Sequence, residues 1–437
     1  MERRRRLVVL SVAALGVLGC SMGQGTPTPK YGDDIVIGLP LAASGNLSQE
    51  GAMAKQGYDL WQDWVNGTRG GIEIGGVRHR VRLDYQDDTS KPDVDTQLAE
   101  KMVTDDGAKF LLGPYGASNT AAAAAVADKH HVPLVSANGS ARSIFSKGYR
   151  YVFGVQTPAE KNLQVVFDLA GTLNPKPGTV AMLAADDSFS VEVAKGAIDY
   201  ANSRGLKLVF NQQYPNGSTN LAGLVAQAKA ANPDIVVNSG HLLEAVAVNK
   251  AAKDLRFSAK MFVYSVGPTM PNFVQSLGKD ADFVVTGSQW TAQAQYKPDY
   301  YLSEAQYVAA YRRKFNTQDE PNYQVADATA AGLALQRAIE RAGSLDPDRV
   351  RDALASLDLM TFFGRIKFDA NGQNVFKPMM LEQIQSGRRQ TIWPLEVSGA
   401  STQYPAPTWA VRTGTPDPAP PPVKLPATGR EPRRSSH

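Results

Sequence analysis

Two glycine-bearing turns hold the residues best placed to do chemistry. Gly113-Pro114-Tyr115-Gly116-Ala117-Ser118-Asn119-Thr120 follows the apolar run Phe110-Leu111-Leu112, and Ala137-Asn138-Gly139-Ser140 follows Val132-Pro133-Leu134-Val135. Each turn joins a run read as a strand to a stretch read as a helix start. Free N–H groups at a helix start, together with the helix dipole, favour an anion. Two such starts on one sheet edge would cradle a carboxylate, with the Ser118 and Ser140 hydroxyls beside it. The competing reading gives Ser118, Asn119 and Ser140 to ordinary helix capping.

Other reactive side chains form no catalytic pattern. No GxGxxG opens a helix after the first strand, and there is no GxxxxGK[ST], HExxH or GxSxG. The adjacent pair His130-His131 would point apart at a helix end, whereas metal ligands must converge. Asp87-Asp88 reads as a solvated turn before the Lys91-Pro92 helix start rather than as an acid dyad. Trp61, Trp64 and Trp290 read as lobe core, with Trp290 open to a place at a cleft. A single cysteine, Cys20, excludes an internal disulfide and a cysteine metal cluster. The residues call for no cofactor and no metal, and no catalytic group is assigned.

These turns must be held by the elements around them. Ile35-Val36-Ile37-Gly38-Leu39 is a strand, and Met53, Leu60, Trp61, Trp64 and Val65 fall on one face of the helix that follows. Val81 to Tyr85, Phe110 to Leu112 and Val132 to Val135 are further strands, alternating with apolar stripes at helical spacing. Such alternation means a parallel sheet with helices on both faces. After Tyr151 to Val155 the pattern restarts: Thr179 to Leu183, Leu206 to Phe210, Asp234 to Val237 and Met261 to Tyr264 read as strands. The chain therefore makes two similar α/β lobes. Helices predicted at Glu304 to Phe315, Gln324 to Ala342 and Asp348 to Leu357 look like additions to the first lobe. Phe362 to Phe368 and Pro378 to Gln385 read as closing strands, an order that needs three passages between lobes.

The two ends differ from the body. Arg3 to Arg6, the apolar stretch Leu7 to Leu18, and Gly19-Cys20 form an export signal too short to span a bilayer, and its end resembles a lipobox in which Cys20 is lipidated. Residues 1–19 are thus expected to be a signal peptide and 20–33 a polar, flexible tether to a membrane. Residues 399–437, dense in proline, are expected to be a disordered tail. The formal charge of +4 is carried by the ends: residues 1–20 and 401–437 contribute +3 each, leaving a body of about −2. A near-neutral body excludes a nucleic-acid protein, which needs a basic face.

The stretch from Asp34 to Val397 resembles the branched-chain amino-acid (Leu/Ile/Val) binding family, the type I periplasmic solute receptors of ABC transporters, in lipoprotein form. The resemblance rests on Gly38-Leu39-Pro40-Leu41-Ala42-Ala43-Ser44-Gly45, on Tyr85 to Pro92, on Gly113 to Ser118, on Val132 to Ala137 and on Phe362 to Asp369. It implies an α/β fold of two Rossmann-like lobes, parallel sheets flanked by helices, joined by three hinge crossovers. The first lobe would comprise 34–154 and 288–361, and the second 155–287 and 362–398. It also implies a site in the cleft: Tyr115, Ala117, Ser118, Asn138 and Ser140 from the first lobe, Phe189, His241 and Val266 from the second, and Glu50 at the mouth. The chain departs from the family pattern at three places. Ala117 stands where a hydroxyl is expected, Val266 where an acid should hold an ammonium, and Glu50 where an aromatic should lie. Glu50, Glu244 or Asp187 would have to replace the missing acid, or the ligand has no amine.

The function this implies is an exported receptor, anchored by lipid to the outer face of the cell membrane, that hands a small ligand (amino acid, peptide or related carboxylate) to an ABC permease. A ligand sensor on the same fold and an exported α/β enzyme are the competing readings. The first would need a span or signalling domain and the second a nucleophile with its base.

Overall fold

A computed structural model describes residues 29–414; residues 1–28, with the expected signal peptide and Cys20, and residues 415–437 lie outside the described residues. The chain enters on a short strand, Lys30–Tyr31, paired with Val77–His79 at the rim of the first lobe.

Five parallel strands build the first lobe's sheet, in the order Val81–Asp87, Ile35–Leu41, Phe110–Leu112, Leu134–Ser136, Val152–Gly154. Their side chains alternate between two buried faces, which is why the strands read as unbroken apolar runs. Phe110 and Leu112 enter one core with Tyr58, Trp61 and Leu333, while Leu111 enters the other with Met102 and Ala124. On the first face helix Ser48–Asp63 lies against helix Tyr323–Ala342, contributed from late in the chain. Their backbones touch at Gly57, where a Cβ would sit 2.0 Å from the Val325 carbonyl. The Trp61 indole N–H donates to Gln336 Oε1 at 3.0 Å and Thr329 Oγ1 to the Gly57 carbonyl at 2.8 Å.

The second lobe repeats the strand order. Lys207–Tyr214, Thr179–Ala185, Ile235–Ser239, Met261–Tyr264 and Val285–Ser288 run parallel, and the hairpin Met380–Gln385/Arg388–Trp393 adds two antiparallel strands at the edge. Both lobes thus place the first strand of their unit between the second and third. Trp61 and Trp290 are buried in the first lobe's core and Trp64 packs against it.

Two expectations need correction. The hairpin Asp358–Thr361/Gly364–Lys367 does not belong to the second lobe, because Phe362, Phe363, Ile366 and Phe368 fill the first lobe's core and Gln373 bridges to Gly154. The third passage is therefore at 374–379 and not at 361–362. Residues 399–414 are not a free tail. They run along the second lobe, with Ala406 N–H donating to Lys260 O at 2.8 Å and the Tyr404 hydroxyl to Pro175 O at 2.9 Å, and end in helix Trp409–Thr413. Trp409 is 1% exposed, its indole N–H donates to Phe257 O at 3.0 Å, and the Arg412 guanidinium lies 3.7 Å from its ring centre. One aromatic anchor offsets the ordering of a segment whose average composition is poor in apolar residues.

Trp409→Ala is expected to lower unfolding stability by about 3 kcal/mol, whereas Val411→Ala, at a side chain 72% exposed, should shift it by less than about 0.5 kcal/mol. Urea melts of both variants check this; equal stabilities would mean the segment is not anchored.

Candidate functional site

In a parallel sheet whose strand order reverses, the loops leaving adjacent strands diverge and leave a crevice at their carboxyl ends. Here the reversal falls between Leu41 and Leu112 in one lobe and between Ala185 and Ser239 in the other. A small, tightly closed cavity lies between the lobes, walled by Tyr115, Gly116 and Asn138 of the first, Phe189 and His241 of the second, Gln156 and Asn162 beside the first passage, and Tyr323. Tyr115, Asn138, Phe189 and His241 of the sequence-based set are among its walls.

Gly116 turns the chain into helix Ala117–Lys129 with φ +94, a conformation that favours glycine. No side chain caps this helix, so its first N–H groups remain free, and Ser118 is not a cap. Ala117 is buried in the core, while Ser118 Oγ meets Ser188 Oγ of the second lobe at 3.3 Å. Asn138 pairs with Tyr115 across a parallel bridge, and its amide donates to Asp327 Oδ2 at 3.1 Å. Ser140 is buried with its hydroxyl unpartnered. The expected second free helix start is not there. The helix after Ser140 is only Arg142–Phe145, and the N–H groups of Arg142 and Ser143 donate to Glu192 of the second lobe at 2.6 and 3.0 Å.

In the second lobe Asp187 caps helix Ser188–Ser203, accepting from Ser190 N–H at 3.1 Å. His241 opens helix Leu242–Asp254, and Glu244 Oε2 accepts its N–H at 3.1 Å. The imidazole lies 3.5 Å from Asp187 Oδ2, 6.0 Å from the Tyr115 ring and 5.8 Å from Phe189. Glu50 is not at an open mouth. It is 1% exposed, and its Oε1 accepts Leu242 N–H at 3.0 Å across the lobe boundary. Val266 does not reach the cavity walls; its side chain is packed into the second lobe's core.

Charge is concentrated around His241. Burial alone would lower its pKa, but Asp187, Glu244 and Glu50 together raise it to about 9, so the ring is an imidazolium at neutral pH. Burial would raise Asp187, yet the imidazolium and the Ser190 hydrogen bonds bring it down to about 2. Glu50 is pushed up by burial, which His241 and Leu242 N–H only partly offset. His241 Nδ1 has no partner, so no hydroxyl is hydrogen-bonded to it as a nucleophile would be.

Sequence reasoning missed the residues behind the wall. Asp327 is fully buried on helix Tyr323–Ala342 and accepts from both Asn138 and Gln156; burial holds its pKa well above the usual carboxylate range, opposed by Lys377 and the two amides. Lys377, in the third passage, is lowered by burial to about 7 despite Asp327. Gln156 and Asn162 flank a passage, and the sequence signal available was only their position after the fifth strand. Asp87 is a tether, its carboxylate accepting from Ala43, Ser44 and Thr89 N–H, whereas Asp88 is buried near Asp95 rather than solvated. His130 pairs with Glu100 and His131 stacks on Tyr151, so the two diverge. Among the described residues no group of three or more His, Cys, Asp or Glu could hold a metal.

A family model described as periplasmic binding protein matches residues 34–389. Leu/Ile/Val-binding protein homolog 7 of Brucella abortus (strain 2308) is 25% identical over 409 residues, covering 89% of this chain and 96% of the relative. The branched-chain amino-acid transporter substrate-binding protein LivJ of Streptococcus pneumoniae, solved with isoleucine, superposes with a TM-score of 0.72 at 22% identity, over 83% of this chain and all of that one. An ABC-transporter solute-binding protein of Rhodopseudomonas palustris, solved with benzoate, gives 0.71 at 16% identity, over 84% and 98% of the two chains.

The His241 pKa of about 9 in the folded chain exceeds its ordinary 6.5, so its contribution to stability is complete below pH 6.5 and lost as the pH rises through 9. Wild-type stability is expected to fall over that window by up to about 3 kcal/mol, and His241→Gln should lack the fall. Urea melts at about pH 6 and about pH 9.5 measure the difference; identical pH dependence in both proteins would refute the charged pair.

Proposed function

Because the chain belongs to the periplasmic binding protein family, we propose that it is an extracytoplasmic receptor of an ABC importer, which captures a small solute between its lobes and delivers it to a permease. The observation that carries this reading is the cavity walled by both lobes beside the uncapped start of helix Ala117–Lys129. A carboxylate seated there receives the free N–H groups and the helix dipole, with the His241 imidazolium on the cavity wall and the unpartnered Ser140 hydroxyl two residues beyond the wall residue Asn138. Tyr115, Phe189 and Tyr323 supply apolar wall for the rest of the solute. LivJ was solved with isoleucine and the R. palustris protein with benzoate, two small carboxylates.

Closure follows from where the contacts lie. Ser118 with Ser188, Glu50 with Leu242 N–H and Glu192 with Arg142 and Ser143 N–H all join one lobe to the other. These exist only when the lobes meet, so a solute that bridges the walls favours the closed form by its differential affinity. Cys20 would carry the lipid, and the polar segment behind it would leave the lobes free to approach a permease.

A thermal-shift panel of amino acids, short peptides and benzoates should raise the melting temperature for at least one member, by mass action on the folded form. No rise for any member would count against the reading. With that solute, Ser140→Ala is expected to weaken binding about tenfold or more in calorimetric titration while the urea melt stays nearly unchanged. Cys20→Ser should leave a binding-competent protein that fractionates away from the membrane; retention in the membrane fraction would remove the lipid anchor from the proposal.

A further inference from the structure

We propose that Asp88 and Asp95 are a buried pair of carboxyls that shares a proton behind the start of helix Ala117–Lys129, and that a second proton, taken up in mild acid, raises the affinity of that helix start for a solute anion. The inference rests on the reading of the inter-lobe cavity as a solute site and adds to it a control by pH.

The pair lies where two helices begin. Asp88 follows strand Val81–Asp87, Asp95 is in the first turn of helix Pro92–Thr104, and Asn119 is in the first turn of helix Ala117–Lys129. The two helices pack on each other. Asp88 and Asp95 are 0% exposed and Asn119 is 2% exposed. Asp88 Oδ1 accepts Ser90 N–H at 2.6 Å, whereas its Oδ2, both oxygens of Asp95 and Asn119 Nδ2 have no partner outside the group of three. The turn beside them is held by acids. Thr89 and Ser90 have φ +53 and +60, a region that favours glycine, and the carboxyls of Asp87 and Asp88 accept their N–H groups.

Two ionised carboxyls cannot be kept side by side without water or a cation. The groups that act on Asp88 are Ser90 N–H, Asn119, Asp87 and Asp95, and those that act on Asp95 are Asp88 and Asn119. No lysine, arginine or histidine is among them, and Lys91, in the same turn, is exposed. Burial raises both carboxyls; the charge of Asp88 raises Asp95 further, and the hydrogen bonds from Ser90 N–H and Asn119 only partly oppose this. One proton therefore stays on the pair at neutrality and leaves it a single negative charge.

That charge opposes a solute anion. The backbone of Asn119 belongs to the uncapped first turn that follows the wall residues Tyr115 and Gly116, while its side chain meets the pair, so the pair and the cavity lie on two sides of one helix start. A carboxylate behind the turn and an anion in front of it share the same helix dipole and repel each other. A second proton cancels the charge behind and leaves the dipole to the solute. By linkage, an anion that binds favours uptake of that proton by the same factor.

Infrared spectra and calorimetric titrations of the full chain at about pH 5.5 and about pH 8 test this. The carboxylic-acid carbonyl band should contain a component at the higher pH that Asp95→Asn lacks, and should gain one at the lower pH that Asp88→Asn lacks. Titrations use the standard L-amino acids and benzoate, and those that bind the wild type should bind about three- to tenfold more tightly at the lower pH. Asp88→Asn keeps an oxygen for Ser90 N–H but loses the charge. It should bind at the higher pH as tightly as the wild type does at the lower one, and equally at both, which a purely structural role would not produce. Circular dichroism checks that the variant folds. If it does not, Asp95→Asn decides: its amide stands in for the protonated acid and keeps Asp88 ionised, so it should match the wild type at the higher pH and lose the gain in acid. Wild-type affinity equal at the two pH values, a variant that keeps the wild-type pH dependence, or acid bands that neither variant changes overturns the inference and leaves the receptor reading standing. Wild-type protein that binds no member of the panel overturns the receptor reading, and the inference with it.

Discussion

Thr157 is hydrogen-bonded to both of the other passages between the lobes. Its N–H donates to Gln289 Oε1 at 3.0 Å, its carbonyl accepts from Gln289 Nε2 at 3.2 Å, and its hydroxyl donates to the Lys377 carbonyl at 2.8 Å. All three residues are buried, so these bonds act with little competition from water. The three passages are thereby bound into one strip between the lobes. Asp327 extends it into the cavity wall, holding Asn138 and Gln156 together with a single carboxyl oxygen.

Across the cleft, each lobe lends a glutamate to a helix start of the other. Glu50 meets the N-terminus of Leu242–Asp254 and Glu192 that of Arg142–Phe145. A carboxylate at a helix start is favourable for the same reasons that make the start of Ala117–Lys129 a place for a solute anion. The starts of Leu242–Asp254 and Arg142–Phe145 are thus satisfied from the opposite lobe, and that of Ser188–Ser203 by Asp187 of its own. The one left free lies beside the cavity, which concentrates the demand for an anion at one point.

Much of the architecture was legible because parallel strands buried on both faces read as apolar runs, and both lobes carry them in the same order. The late helices were also legible from their periodicity, and Gly57 explains where one of them lands. What could not be read depends on partners far along the chain. Phe362 and Phe363 are as apolar as any core residue and do not say which lobe they fill, so the third passage was placed too early. Glu50 is simply an acid in the first turn of a helix until it meets Leu242, 192 residues away. Val266 followed a strand end as a ligand residue should, but its side chain faces inward. A proline-rich composition concealed the single indole that fastens residues 399–414.

The described chain begins on one lobe and finishes on the other: Lys30–Tyr31 pairs with the first-lobe rim, and Trp409 is seated in the second. Were Cys20 lipidated, the two halves would not be equivalent to a membrane: the first lobe would sit next to the anchor, and the second lobe, with residues 399–414 packed on it, would stand farther along the chain. A permease facing that membrane would then sense the solute as the arrival of the second lobe's surface beside a first-lobe surface already held near the bilayer.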